Sequence, residues 1–254
     1  MTDFCKKTDR PSPVHGKVIF ALDVSTLPEA RRLVGLLQDR VGLFKVGLEL
    51  FTAFGKEAVQ AVQEEGGRVF LDLKLHDIPN TVSQAAEEAV KLGVAMFNLH
   101  ATGGTKMMQE TVERCKNLAH QLNRPRPIIL AVTVLTSLDE GNLKEVGLGG
   151  PVQERVVSLA ELAQKAGIDG VVASPREIIP IRQRCGPKFL IVTPGIRPAF
   201  VESGTDDQKR VMTAGEAISA GADYIVIGRP VRLAKDPVAA MDKVLEEIKL
   251  LMSP

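Results

Sequence analysis

The chain has 254 residues, of which 44% are hydrophobic and 25% are charged, values ordinary for a soluble globular protein. Its 32 Lys and Arg against 31 Asp and Glu give a formal charge of +1, which argues against a nucleic-acid-binding surface. No apolar run approaches the roughly 18 residues of a membrane-spanning helix, the first residues lack the apolar core of a signal peptide, and the three cysteines have no metal-like spacing. We therefore expect a cytoplasmic α/β enzyme with reduced thiols that binds neither membranes nor nucleic acid.

Two kinds of segment alternate along the chain after a Pro-containing opening, residues 1–14, that we expect to be a flexible leader. Short β-branched or aromatic runs predict eight strands, at Val18–Asp23, Leu43–Val46, Val69–Lys74, Met96–His100, Ile128–Val134, Gly170–Ala173, Phe189–Thr193 and Tyr224–Ile227. A segment with helical spacing follows each strand, at Pro28–Arg40, Phe51–Glu65, Pro79–Leu92, Lys106–Leu122, Gln153–Ala166, Pro175–Arg184, Val211–Ala220 and Pro237–Met252.

Eight strand–helix units in about 250 residues predict a (β/α)₈ barrel, formed as a single catalytic domain by residues 15–254. The alternative is a doubly wound sheet, which usually has fewer strands and a Gly-rich turn after the first one. That turn is missing, because Leu22-Asp-Val-Ser25 stands at this place. The pattern favours the barrel.

The third predicted strand carries charges where a barrel core should be apolar. Strand alternation places Asp72 and Lys74 on one face, while the other face is wholly apolar and must meet the helices. We therefore expect both side chains to point into the barrel near its C-terminal mouth, together with Asp23 and Lys45 from the first two strands. The alternative is a structural ion-pair cluster, but buried pairs are weak stabilisers, so the charges favour a catalytic site.

Asp77 follows Lys74 by three residues, so the run Asp72-x-Lys-x-x-Asp77 is expected to place an ammonium between two carboxylates. An ammonium beside a reacting carbon stabilises a developing carbanion and then donates its proton. A nearby carboxylate repels a substrate carboxylate until CO₂ departs. The array thus predicts a decarboxylation without a cofactor. The four histidines are scattered, and no metal-ligand spacing appears, so we expect no metal site.

The ends of the last two strands predict a phosphate site. Thr193-Pro-Gly-Ile-Arg197 and Gly228-Arg229 occupy the two loops that bind phosphate in many barrels. The alternative is an ordinary pair of turns with surface arginines. Thr136 and Ser137, just past the fifth strand, offer hydroxyls to a polar ring edge, and a plain turn is the alternative there.

The run Phe70-Leu-Asp-Leu-Lys-Leu-His-Asp-Ile-Pro-Asn-Thr81 closely resembles the signature of the orotidine 5′-phosphate decarboxylase family. The resemblance continues, in the family's order, through Ala21–Asp23, Phe44–Gly47, Asn98–Ala101, Ala131–Ser137, Thr193–Arg197 and Ile227–Arg229. It covers nearly the whole chain, except for the first dozen residues.

The resemblance implies a homodimeric barrel that converts orotidine 5′-monophosphate to UMP and CO₂ in pyrimidine biosynthesis. It implies that Lys74 is the proton donor to C6 and that Asp72 lies beside the departing carboxylate. It also implies that Lys45 links the charges to the ribose and that Asp23 accepts hydrogen bonds from the ribose hydroxyls. The remaining implied contacts are Asp77, Ile78 and Thr81 in the partner's site, Thr136 at the pyrimidine, and Arg197, Gln208, Gly228 and Arg229 at the phosphate, with Pro198–Asp207 as a lid.

Two other functions stay open. One is a Mg²⁺-dependent keto-sugar-phosphate decarboxylase or aldolase of the same suprafamily, which shares the Asp-x-Lys-x-x-Asp run but has an added acidic residue near strand two. This chain has Lys45 there, which would repel a metal. The other is an inactive barrel that only binds a phosphate ligand, and the presence of both Lys74 and Asp72 argues against it.

Overall fold

The computed structural model describes residues 14–200 and 212–252. Eight parallel strands close into a barrel in chain order, each paired with the next and the last with the first. This confirms the predicted (β/α)₈ barrel. The strands are β1 (Val18–Ala21), β2 (Leu43–Gly47), β3 (Val69–Leu75), β4 (Met96–His100), β5 (Ile128–Val132), β6 (Gly170–Val172), β7 (Leu190–Thr193) and β8 (Tyr224–Ile227).

Helices surround this barrel. Those in the described ranges are α1 (Leu27–Leu37), α2 (Leu48–Phe54), α3 (Lys56–Glu64), α4 (Pro79–Lys91), α5 (Gly104–Gln121), α6 (Glu140–Glu145), α7 (Val152–Lys165), α8 (Ile178–Cys185), α9 (Ala214–Ser219), α10 (Arg229–Arg232) and α11 (Pro237–Met252). Val14, the last residue of the expected leader, is buried in the core, and residues 1–13 lie outside the described ranges.

The predicted helices differ from the observed ones where local turn chemistry intervenes. The helix expected after β2 is two helices, α2 and α3, because Gly55 between them adopts φ +55, a left-handed conformation that interrupts a helix. No helix was predicted between the strand ending at Val134 and the helix beginning at Gln153, but α6 lies there, and Asp139 begins it by accepting the backbone N–H of Asn142. The helix expected from Val211 begins at Ala214, where Thr213 and Glu216 form the same kind of cap.

Alternate residues of the strands build two apolar layers. Side chains in the lumen form one cluster, which contains Ile19, Leu43, Phe70, Met96, Leu130 and Val192. Their neighbours on the other face, such as Leu71, pack with the helices in a second and larger cluster. Because the apolar lumen residues fill the lower part of the barrel, the charged side chains of β2 and β3 occupy its upper, C-terminal part.

Arg182 ties the N-terminal ends of the last two strands together. The carboxylate of Asp223, just before β8, accepts the backbone N–H of Ile191 at 2.8 Å and an N–H of Arg182 at 2.7 Å. The same guanidinium donates at 2.7 to 2.8 Å to three backbone carbonyls, those of Gly186, Phe189 and Gly221. This end of a barrel contributes to stability, whereas the opposite end carries the chemistry.

Candidate active site

Strand β3 changes its backbone conformation at the lysine that carries the sequence motif. Its pairing with β4 shifts register between Leu71 and Leu75, and Lys74 between them has φ +53. A non-glycine residue in this left-handed region costs about 1–2 kcal/mol, and such strain is concentrated at functional sites. The regular alternation that the sequence predicted therefore ends at Lys74, although its side chain still lies on the lumen side with that of Asp72.

Four charged side chains form one chain of alternating sign at the C-terminal mouth. Lys74 Nζ lies 2.6 Å from Oδ1 of Asp72, and Lys45 Nζ lies 3.4 Å from Oδ2 of the same carboxylate. Lys45 Nζ also lies 3.1 Å from Oδ1 of Asp23, which follows the end of β1. The structure thus brings together the four side chains that the sequence placed in the lumen. Exposure rises from 12% at Asp72 to 47% at Asp23, so the chain of charges runs from the interior to the solvent.

The opposite charges keep the inner part of this network ionised. Burial by itself would raise the pKa of the Asp72 carboxyl, but the Lys45 and Lys74 ammoniums and the hydrogen bonds from Lys74 and Asn98 outweigh it and hold that pKa below its ordinary value. Burial would likewise lower the pKa of Lys45, but the Asp72 and Asp23 carboxylates raise it above its ordinary value. The Asp72 carboxylate is therefore ionised at neutral pH and lies between the side chains of Lys45 and Lys74.

Asn98 also belongs to this network, although the sequence motifs assign it no role. It lies in β4, is only 1% exposed, and donates from Nδ2 to Oδ1 of Asp72 at 2.7 Å. Its Oδ1 accepts the backbone N–H of Lys74 at 2.8 Å. A signal was present in the sequence, because alternation along β4 puts Asn98 on the same lumen-facing side as Met96.

A cavity of about 170 Å³ opens above the charges. Lys45, Asp72 and Lys74 line one side of it, and Thr136 lines it from the loop after β5. The rest of its wall is largely apolar, formed by Phe70, Val132, Val134, Leu135, Val172, Ala173, Pro194 and Val226. A flat, partly apolar ring fits such a wall, and its reacting edge would then face the charged side.

The sequence motif predicts that Asp77 lies beside Lys74, but in the structure Asp77 does not join the charged network of its own chain. It is exposed, its Oδ1 accepts the backbone N–H of Ile78 at 2.7 Å, and within the described ranges it forms no ion pair with Lys45 or Lys74. Asp77 lies between the end of β3 at Leu75 and the start of α4 at Pro79, where strand alternation no longer sets the direction of a side chain. Ile78, 66% exposed, and Thr81 lie on the same rim.

The two segments expected to hold phosphate are neighbours, because β7 pairs with β8. Gly228 is followed directly by the short helix α10, which begins at Arg229. Gly228 also lies against the end of β1, where a Cβ would come within 3.1 Å of the Ala21 Cβ and 3.4 Å of Asp23 Oδ2. A side chain there would crowd the mouth, so this glycine keeps the backbone close to Asp23.

The expected lid is only partly described. Ile196 forms a parallel bridge with Met212, so these two residues on either side of the lid segment lie together. Arg197 precedes the lid segment, and its N–H donates to Met212 O at 3.0 Å. The first residues of the lid lie over α11, with Lys243 Nζ 5.5 Å from the Phe200 ring centroid. Residues 201–207 and Gln208 lie outside the described ranges.

The remaining chemistry-bearing side chains lie apart from the charges. The rings of His76 and His100 lie 5.3 Å apart beside the mouth, tilted by 38° to each other, and burial, His76 and Lys74 lower the pKa of His100. Burial raises the pKa of the Cys115 thiol to about 12, which leaves it protonated.

In residues 14–200 and 212–252, no group of three His, Cys, Asp or Glu side chains is arranged to hold a metal ion. None of the helices in these ranges is both long and apolar enough to cross a bilayer.

Comparison with known proteins gives consistent matches over most of the chain. The model of the family described as "Orotidine 5′-phosphate decarboxylase / HUMPS family" matches residues 16–244. The orotidine 5′-phosphate decarboxylase of Pelobacter propionicus is 56% identical over 91% of this chain and 95% of that protein, and the one of Geobacter sulfurreducens is 57% identical over the same shares. The crystal structure of orotidine 5′-phosphate decarboxylase from Lactobacillus acidophilus is 36% identical, with a TM-score of 0.79, over 91% of this chain and 98% of that one.

Proposed function

Because this chain belongs to the orotidine 5′-phosphate decarboxylase / HUMPS family, we propose that it is a carbon–carbon lyase that converts orotidine 5′-monophosphate to UMP and CO₂, with Lys74 as the proton donor to C6. The observation that carries the proposal is the contact of 2.6 Å between Lys74 Nζ and Asp72 Oδ1 at a cavity with a largely apolar wall. The contact places a proton donor and a fixed negative charge side by side where a pyrimidine ring fits.

The proposed reaction needs only these groups. The substrate carboxylate lies next to the ionised Asp72, which repels it, and the repulsion ends when the C6–carboxyl bond breaks and neutral CO₂ leaves. The electron pair of that bond stays on C6, where the Lys74 ammonium stabilises it. Lys74 then gives its proton to C6, which yields UMP, and the neutral amine takes up a proton from water. No cofactor enters this balance.

The other side chains are proposed to bind the rest of the nucleotide. Asp23 accepts hydrogen bonds from the ribose hydroxyls, and Lys45 links Asp23 to Asp72, a role supported by the contacts of 3.1 and 3.4 Å that Lys45 makes with these two carboxylates. Thr136 contacts the pyrimidine from the wall that it shares with Lys74.

The phosphate is proposed to lie between the ends of β7 and β8, held by Arg197, Gln208, Gly228 and Arg229. The closeness of Gly228 to Asp23 supports this order of subsites, because it brings the phosphate loop next to the ribose acceptor. Pro198–Asp207 are proposed to act as the lid of this phosphate site.

We further propose that the chain acts as a homodimer in the cytoplasm, in pyrimidine biosynthesis. Asp77, Ile78 and Thr81 would then enter the partner's site. Their exposure on the rim supports this arrangement, as does the lack of an ion pair between Asp77 and its own chain's Lys45 or Lys74 in the described residues.

A direct assay tests the proposed function. Loss of orotidine 5′-monophosphate is followed by absorbance with the wild type, with Lys74→Ala and with Lys91→Ala, a half-exposed lysine on α4 that serves as the matched control. The wild type and the control should turn over the substrate, Lys74→Ala should be nearly inactive, and added EDTA should change nothing. A folded, inactive wild type would refute the function. Activity of folded Lys74→Ala within about tenfold of the wild type would refute its role as proton donor. Loss with EDTA would favour the Mg²⁺-dependent alternative.

A further inference from the structure

We infer that Asn98 is a positioning residue, which holds Asp72 and the backbone of Lys74 in the geometry that the decarboxylation requires. The inference rests on the proposed function, because the two groups that Asn98 holds are the ones assigned to the reaction. Asn98 itself does not line the cavity above the charges and takes no part in the ion pairs of Asp72.

The amide oxygen and the amide nitrogen of Asn98 each form a hydrogen bond with one of these two neighbours. A backbone N–H can only donate, so the atom facing Lys74 N at 2.8 Å is the amide oxygen. An ionised carboxylate can only accept, so the atom facing Asp72 Oδ1 at 2.7 Å is the amide nitrogen. The two contacts agree on one orientation of the side chain, which therefore bridges residues two apart in β3.

The two contacts fix different properties of the site. Lys74 has a left-handed backbone at a register shift, which is unfavourable unless the surroundings hold it, and Asn98 accepts its N–H at that point. The bond to Asp72 reaches the same carboxylate oxygen that binds Lys74 Nζ. That oxygen is thus held from two directions, and the rotation of the carboxylate about its own axis is fixed. The buried amide of Asn98 thus positions both the backbone from which the Lys74 side chain extends and the Asp72 carboxylate with which that side chain pairs.

A displaced pair would affect the chemical step more than substrate binding. The nucleotide is held mainly by its ribose and phosphate contacts, which lie on β1, β2, β7 and β8 rather than on β4. The proton donor and the carboxylate act on C6, where a misplacement of about 1 Å costs on the order of 10²-fold in rate. Removal of Asn98 should therefore lower kcat far more than it weakens the binding of UMP.

The test uses Asn98→Leu, whose side chain branches at Cγ as the amide does but makes neither hydrogen bond. We expect kcat to fall on the order of 10²-fold, and the affinity for UMP, measured by calorimetry, to stay within about threefold. The acid limb of the kcat profile should also move to higher pH, because an N–H that favours the charged form of Asp72 is gone. A residue that only packs the core would leave that limb in place.

Two further variants make the test decisive. Asn98→Ser keeps a hydroxyl that reaches one partner at most, so it should show a smaller loss in the same direction, and it replaces Asn98→Leu if that variant does not fold. Thr111→Val removes another fully buried hydrogen bond, from Oγ1 to Met107 O in α5, and should leave kcat unchanged.

The outcomes separate this inference from the proposed function. A wild type that does not act on orotidine 5′-monophosphate refutes the function. An active wild type with a folded Asn98 variant of kcat within about threefold, or with an unmoved acid limb, refutes the positioning role alone. A loss of kcat in Thr111→Val as large as that in Asn98→Leu would also refute it, because it would trace the loss to general destabilisation.

Discussion

Two inactive variants of this chain should restore each other if Asp77 serves the partner's site. Lys74 lies in the network of its own chain, 2.6 Å from Asp72, whereas Asp77 forms no ion pair with Lys74 or Lys45 in the described residues. In a mixed dimer of Lys74→Ala and Asp77→Ala, one site carries both lesions. The other site takes Lys74 from one chain and Asp77 from its partner, and is wild type.

The expected magnitude follows from counting sites. Random pairing of equal amounts makes about half of the dimers mixed, and each mixed dimer has one intact site of two, so about a quarter of the wild-type activity should return. The chains are unfolded together, refolded, and assayed for loss of orotidine 5′-monophosphate. The mixed dimer is quantified separately with a charge tag on one of the chains.

The structure also supplies a matched control mixture. Lys45 and Lys74 both bind the Asp72 of their own chain, so a mixed dimer of Lys45→Ala and Lys74→Ala has one lesion in each site and should stay inactive. The reasoning would be refuted if the first mixture were as inactive as its parents although mixed dimers had formed. It would also be refuted if the control mixture regained about a quarter of the wild-type activity.

Three other measurements test the site and the scaffold. Arg229→Ala should weaken the binding of orotidine 5′-monophosphate, measured by KM, by about 2–3 kcal/mol, and should hardly change the binding of orotidine, which lacks the phosphate. An equal loss with both compounds would place Arg229 outside the phosphate site. Arg182→Ala should lower the free energy of unfolding in urea by about 2–4 kcal/mol, because four buried or half-buried acceptors each lose one hydrogen bond. Arg184→Ala, which breaks an exposed pair, should cost less than about 1 kcal/mol, and equal costs would contradict this account. Burial, His76 and Lys74 lower the pKa of His100, so below about pH 6.5 the unfolded chain binds more protons than the folded one, and the free energy of unfolding should fall as the pH is lowered. His100→Gln should reduce this dependence on pH in urea titrations at pH 7 and 5.5, and an unchanged dependence would exclude His100 as its source.

Much of the architecture was predictable from local patterns. The alternation of short β-branched runs with helical segments predicts the barrel because each strand of a parallel sheet needs a crossover helix, and eight units close the sheet. The helix boundaries were less predictable. Gly55 breaks one predicted helix and the Asp139 cap starts an unpredicted one, since a single turn residue outweighs a weak periodic signal.

The positions of Asp23, Lys45 and Asp72 at one mouth also followed from the sequence. Side chains two residues apart in a strand share a face, and the C-terminal ends of all parallel strands meet at the same end of a barrel. Those two rules need no distances, and they were sufficient to bring residues far apart in the chain to one place.

Contacts between β3 and β4 needed the folded structure. The left-handed backbone of Lys74 and the register shift beside it depend on which atoms of β4 face β3, and the bridging role of Asn98 depends on two distances below 3 Å. The same holds for Asp77, which the motif placed beside Lys74 and the fold turns outward. Sequence spacing determines the side of a strand on which a residue lies as long as the strand is regular, and it no longer does so where the backbone departs from strand geometry, as it does at Lys74.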